Sequence, residues 1–133
     1  MTEIDEKLLA ELLGKAAVNP RLRQNYDLRT SSNDGSQCML NALLPGTVIA
    51  VHRHPMSNEN VLILRGRIAE VLFDADGVET DRHILDPSAG SFGCVVPAGS
   101  WHTVEVLEPS VILEAKDGRY GEDGSEVWNN RTE

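Results

Sequence analysis

Gly46-Thr47-Val48-Ile49-Ala50-Val51-His52-Arg53-His54-Pro55-Met56-Ser57-Asn58-Glu59-Asn60-Val61-Leu62-Ile63-Leu64-Arg65-Gly66 is the stretch on which the reading of this chain turns. It places three metal-capable side chains, His52, His54 and Glu59, within eight positions. Two histidines two apart on an extended strand point to one face, because side chains alternate along a strand. The strand turns at residues 55–58, and Glu59 then opens the next, antiparallel strand, where it can lie beside the pair. Downstream, Pro97-Ala98-Gly99-Ser100-Trp101-His102 supplies a third imidazole that needs only a neighbouring strand.

Outward from this stretch the pattern is one of short apolar runs, at 38–44, 47–52, 60–64, 67–73, 78–85, 91–96, 101–107 and 111–116. Pro45-Gly46, Arg65-Gly66, Asp76-Gly77, Ser88-Ala89-Gly90, Pro97-Ala98-Gly99 and Glu108-Pro109 fall between them and suit tight reversals. About eight short strands at regular spacing predict an all-β fold, a small antiparallel jelly-roll barrel. Ile4, Leu8, Leu9, Leu12 and Leu13 recur at helical spacing and predict a short N-terminal α-helix. Thr2 with Asp5 resembles an acidic capping box at its start, and Gly14 fits a C-terminal stop. The chain therefore divides into a helix and Arg-rich lead-in (1–37), a barrel (38–116) and a polar tail (117–133), expected to pack loosely or fold over a barrel edge.

The 133 residues make one domain, and 41% of them are hydrophobic with only two each of Trp, Tyr and Phe, so the core is built from Val, Leu, Ile and Ala. A formal charge of −9 opposes binding to nucleic acid and to anionic membrane surfaces. There is no run of eighteen apolar residues, and residues 1–13 carry Glu3, Asp5, Glu6 and Glu11 where a signal peptide is basic, so a soluble, cytoplasmic protein is expected. Cys38 and Cys94 lack Cys-x-x-Cys spacing and read as buried, reduced thiols rather than zinc ligands.

His83, alone in a polar strand, reads as an ordinary surface histidine. His52, His54, Glu59 and His102 together read as one site, whose three imidazoles and one carboxylate suit Fe(II), Mn, Co, Ni, Cu or Zn rather than Ca or Mg. Four protein ligands on an octahedral ion leave two positions open, as a catalytic metal needs, whereas a structural zinc closes at four with cysteines among its ligands.

With these residues in view, 46–66 resembles the first motif of the cupin superfamily, and Pro97-Ala98-Gly99 with His102 resembles the second. The resemblance implies a small antiparallel barrel in which His52, His54, Glu59 and His102 bind one divalent transition metal such as Fe, Mn, Ni or Zn. Two departures stand out: Gly90 lies seven positions before Pro97 rather than six, and Val106 takes the place of an asparagine. The flanks, Arg21-Leu22-Arg23-Gln24-Asn25, Met39-Leu40-Asn41-Ala42 and Ala98-Gly99-Ser100-Trp101-His102, are similar to those of the WbuC-type cupin-fold metalloproteins, a group associated with polysaccharide gene clusters.

Arg23, with Asn25 and Tyr26, is expected to close over the barrel mouth and bind an anionic or polyhydroxylated small molecule, since a guanidinium holds such groups through a two-pronged fork. The competing expectation pairs Arg21, Arg23 and Arg29 with surface acids or a partner subunit. Arg53 and Trp101 each alternate away from the metal, Arg53 toward an external ion pair. Glu114 and Lys116 share a face of the last strand; were that face interior, they could move protons near the metal.

Two classes of function follow: a metal-dependent enzyme on a small polar, sugar-like or acidic molecule, as isomerase, epimerase or dioxygenase, or a non-enzymatic binding or sensing module. A homodimer is expected from the exposed barrel edges.

Overall fold

The computed structural model describes residues 1–128. Helix α1 (Glu6–Ala17) starts one turn later than Thr2 would have it: Asp5 is the N-cap, its side chain accepting from the Leu8 N–H, and Ile4 is exposed ahead of it. Gly14 lies inside the helix rather than ending it, and the chain leaves at Val18. The buried stripe Leu9, Leu12 and Ala16 packs on Leu40, Ala42 and Val111 of the sheet beneath.

Eight strands follow: β1 (Arg23–Asp27), β2 (Ser36–Leu43), β3 (His52–Arg53), β4 (Glu59–Phe73), β5 (Glu79–Leu85), β6 (Gly93–Val96), β7 (Trp101–Asp117) and β8 (Glu126–Val127). Two are much longer than expected. Arg65-Gly66 and Glu108-Pro109 are not reversals; β4 runs through the first and β7 through the second, and the two strands pair antiparallel from Glu59↔Lys116 to Phe73↔Trp101. The ladder shifts register between Ile63 and Ile68, which bends the ribbon there. Gly66, at φ +96°, sits against Pro109 and Ser110 at this corner, where a side chain would collide.

The bent ribbon is the spine of two facing layers. The first half of β4 and the second half of β7 are flanked by β6 on one side and β2 and β1 on the other. The second half of β4 and the first half of β7 are flanked by β5 and by β3, with β8 outside β3. Leu43, Val61, Ile63 and Ile112 from one layer meet Ile68, Leu85 and Val104 from the other in a buried core. This is the all-β jelly-roll barrel that the strand spacing predicts.

Other elements differ from expectation. The lead-in segment contributes β1, paired with β2 along its whole length. Residues 47–51 are loop rather than strand because their carbonyls serve other partners: Val48 O accepts from Arg23, Ile49 O from Thr103 Oγ1 and Val51 O from the Trp128 N–H. A 3-10 turn at Pro87–Ala89, closed by Gly90 at φ +83°, precedes β6. The tail runs through turns and bends to a two-residue edge strand at Glu126–Val127, while residues 129–133 of the predicted tail lie outside the described residues. No helix among the described residues is long and apolar enough to cross a membrane.

Candidate metal centre

Strand pairing brings His52 directly opposite His102, so the two imidazoles project from adjacent strands into the barrel. His54, two residues on, takes the same side by alternation. The ring centroids of His52 and His102 are 4.3 Å apart, those of His52 and His54 5.0 Å, and those of His54 and His102 5.4 Å. One nitrogen from each ring lies within 4.8 Å of the other two. Three nitrogens bound to one ion at roughly 2.1 Å stand roughly 3–4 Å apart, so a bound ion draws these rings in only slightly.

Hydrogen bonds on the far side of each ring orient the cluster. His52 Nδ1 lies 2.8 Å from Ala50 O and His102 Nδ1 lies 3.0 Å from Ser100 O. A carbonyl only accepts, so these contacts put the proton of each neutral ring on Nδ1 and leave Nε2 with a free lone pair. His54 Nδ1 meets Ser125 Oγ at 2.7 Å. The Nε2 atoms of His54 and His102 are buried and make no hydrogen bond. Buried imidazoles aimed at one point, each held by its other nitrogen, are the arrangement of metal ligands with outer-shell partners. The residues fit a divalent cation.

Glu59 reaches this cluster from the other layer. It is not brought in by pairing of its strand with β3, as the sequence suggested; β3 pairs with β7 and β8, and the bend of the ribbon carries the start of β4 across the barrel. Its Oε2 is 3.2 Å from His54 Nε2 and its Oε1 3.5 Å from His102 Nε2, contact distances at which neither nitrogen forms a hydrogen bond. Lys116 Nζ stands 3.5 Å from Oε2. Burial opposes ionisation of Glu59, but the two imidazoles and Lys116 outweigh it and hold the carboxyl below the usual range. Burial, reinforced by His102, pushes His52 down to about 4, which keeps it neutral. Burial also works against protonation of His102, yet its contacts with Glu59 and Ser100 raise it on balance.

Glu114 and Lys116 face inward, since they pair with Val61 and Glu59 on the inner side of β4. Asn41 donates to Glu114 Oε1 at 3.2 Å, and burial together with Glu59 pushes the Glu114 carboxyl up to about 7. Arg23 and Asn25 pair with Leu43 and Asn41 and so lie on the inner side of edge strand β1, where the Arg23 guanidinium donates to Val48 O at 3.0 Å. Tyr26 alternates to the other side and packs with the helix, so the structure separates it from Arg23 and Asn25. Arg29 pairs with Asp27 and Arg53 with Glu126, both at 2.8 Å. Trp101 packs edge-on against Trp128 and beneath Arg53. His83 is exposed on β5, away from the cluster. Cys38 and Cys94 are free thiols, but partly exposed rather than buried, because Cys38 lines an outer groove and Cys94 a cavity between β5 and β6.

Two contributors escape the sequence reading. Glu70, in the apolar run Ile68-Ala69-Glu70-Val71-Leu72, is 1% exposed with its Oε1 4.0 Å from His102 Nε2. The signal was an acid at an inward position of a strand whose neighbours on that face, Ile68 and Leu72, are apolar. The other contributor is the tail: Asp123 accepts from Gln37 Nε2 at 2.8 Å and from the Ser125 N–H at 3.0 Å, and Ser125 reaches His54. Nothing in a Gly-rich polar tail announces such a role.

Solved structures share this architecture. TT1209 from Thermus thermophilus is 25% identical over 90% of this chain and 99% of its own, with a TM-score of 0.65. The cupin-2 domain protein Rru_A2000 from Rhodospirillum rubrum is 16% identical over 81% of this chain and 66% of its own, at 0.60. Oxalate decarboxylase from Lactobacillus farciminis is 15% identical over 80% of this chain, at 0.62, and the chain spans only 31% of that enzyme's length. The fold is thus that of the cupins, as the two sequence motifs implied. None of the curated proteins matches the sequence. At the level of sequence, the match that assigns a family covers residues 4–85, more than half of the chain, and by it the protein belongs to the family described as a domain of unknown function, DUF6016.

Proposed function

We propose that this chain is a WbuC-type cupin metalloprotein in which His52, His54, His102 and Glu59 hold one divalent transition metal that acts on a small polar molecule. The observation that carries this reading is the convergence of three imidazoles whose outer nitrogens are all hydrogen-bonded and whose inner ones point at one another and at Glu59. Bound there, Fe, Mn, Ni or Zn would supply Lewis acidity or, for iron, dioxygen activation, which suits an isomerase, an epimerase or a dioxygenase.

The chain's own residues give such a site its proton carriers and its selectivity. Glu114 and Lys116 line the inner face close to Glu59, and a carboxyl poised near neutrality is suited to accept or donate a proton. Arg23 and Asn25 stand at the inner edge of the same layer, where they would hold a hydroxyl or an acid group. These groups suit a small hydroxyl-rich, sugar-like or acidic molecule. The dimer is proposed on the apolar outer surface that Leu62 and Val95 expose across the β4–β6 pair. A monomeric mass at micromolar concentration removes it.

The test is elemental analysis of protein purified without chelator or histidine tag, set beside His54→Ala and Glu59→Ala. Near-stoichiometric metal in the native chain, lost from His54→Ala and depleted in Glu59→Ala, is the expected result. Full retention by both variants would overturn the ligand assignment. Iron as the native metal directs the search to oxygen chemistry, and Mn, Ni or Zn to isomerisation.

A further inference from the structure

Glu70 presents a problem of charge. It projects from the inner face of β4 in the same layer as His102: Leu72 pairs with His102 and Glu70 with Val104, so Glu70 is diagonal to the imidazole. Both of its carboxylate oxygens are buried and neither receives a hydrogen bond. Lys116 reaches Glu59 instead, and Arg82 turns outward to Glu79 and Glu105. The charges that act on Glu70 are those of His102, Glu59 and Glu114, two of them carboxyls, and the Cys94 thiol shares its cavity. An ionised carboxyl enclosed with no donor is costly, so Glu70 either keeps its proton or takes a cationic partner from outside the described residues.

The side facing Glu70 is the metal cluster. Its Oε1 lies 4.0 Å from His102 Nε2, which is likewise buried and unpartnered. That distance is one that a shared ion would span, while Glu70 lies outside the 4.8 Å cluster that the three imidazole nitrogens form by themselves, so its carboxyl would have to swing inward to join them. On its other side Glu70 lines a cavity of about 430 Å³ between β5 and β6, with Leu72, Leu85, Cys94 and Val96. It therefore stands between that cavity and the imidazoles.

We propose that Glu70 is a fifth protein ligand, a second carboxylate that joins His52, His54, His102 and Glu59 on the metal. The inference rests on the metal-binding reading above. Five protein donors leave an octahedral ion one open position rather than two. A substrate then attaches through a single atom, such as one hydroxyl oxygen, and a diacid that chelates through two oxygens is excluded unless a carboxylate lets go.

The experiment loads metal-free protein with Mn(II) alone in the native chain, Glu70→Gln, Glu70→Asp and His54→Ala. Calorimetric titration gives affinity, and the enhancement of water proton relaxation gives the number of waters on the ion. Far-UV circular dichroism and melting of the metal-free variants check that each is folded. The expected result is one water on the native protein, and, in Glu70→Gln, two waters with affinity lower by about tenfold or more. Glu70→Asp, which keeps the charge on a shorter arm and protects the inference against a misfolded Gln variant, is expected to weaken binding as well. Native affinity and water number in both Glu70 variants, with binding abolished in His54→Ala, would overturn the Glu70 ligand while leaving the metal site standing. Absence of Mn(II) binding to the native chain would overturn both.

Discussion

Ser125 Oγ stands 2.7 Å from His54 Nδ1, so the C-terminal segment holds one ring of the metal cluster from a position 71 residues away in sequence. β8 lies along β3 with Val127 opposite His52 and Glu126 opposite Arg53, and Asp123 fixes the turn before it by accepting from Ser125 N–H and from Gln37. The tail is therefore part of the site's scaffold.

Ser125→Ala removes that partner from His54 without touching any ligand. Metal affinity is expected to fall by about tenfold, within the usual range for outer-shell partners, while the melting temperature of the metal-free protein changes little. Asp123→Ala should do the same through Ser125, and with a larger loss of stability, because it also leaves the buried Gln37 amide with only its bond to Gly118 O. Calorimetric titration with Mn(II) measures both, and unchanged affinity in Ser125→Ala would show that the tail covers the site without positioning it.

Two glycines are predicted to respond in opposite directions to the same substitution. A Cβ on Gly66 would lie 2.2 Å from Ser110 Oγ and 2.3 Å from Pro109 O, at φ +96°, so Gly66→Ala must open the corner of the ribbon. A loss of at least about 2 kcal/mol is expected from strain and collision together. Gly14 sits in the exposed face of α1 with nothing within 4 Å of a built Cβ, so Gly14→Ala should stabilise by about 0.5–1 kcal/mol through helix propensity. Urea unfolding of both variants checks the pair.

That contrast marks what the sequence could and could not disclose. The His-x-His pair and His102 were legible because period-two alternation and turn chemistry are local; Glu59 was legible as a residue but not by its route, since the bend of the ribbon rather than pairing with β3 carries it across the barrel. The continuity of β4 and β7 was not legible, since Arg65-Gly66 and Glu108-Pro109 carry turn residues that the fold uses for a bulge instead. Whether a Gly-containing dipeptide reverses or merely bends a strand depends on its partner strand, and Gly66 is read correctly only once Ser110 is seen against it. Glu70 and Ser125 escaped for the same reason: their roles exist only through contacts made 32 and 71 residues distant in the chain, to His102 and His54.

The metal-free protein should be destabilised as pH rises above neutrality. Burial, helped by Glu59 and Glu114 and opposed by His102, pushes the Glu70 carboxyl up to about 8, and burial pushes Glu114 up to about 7. Against an unfolded carboxyl near ~4.3, the folded chain binds more protons than the unfolded one through that interval, so stability declines as pH rises through it. His102, raised by Glu59 despite its burial, acts in the same direction: its contribution is present below the unfolded value of ~6.5 and is lost as pH rises through the folded one. His52, lowered by burial to about 4, acts oppositely, but its contribution is complete above ~6.5. From about pH 6.5 to 8.5 only the destabilising contributions remain, and the melting temperature of chelator-treated protein should fall. Glu114→Gln should flatten the slope, because it removes one of the groups that must ionise. Divalent metal should flatten it too, because a cation between the imidazoles and the carboxyls stabilises their deprotonated forms and removes the reason for the folded chain to hold those protons. A melting temperature that stays level or climbs across this interval in the metal-free protein would mean that the inner carboxyls are compensated by something other than a proton before any metal binds.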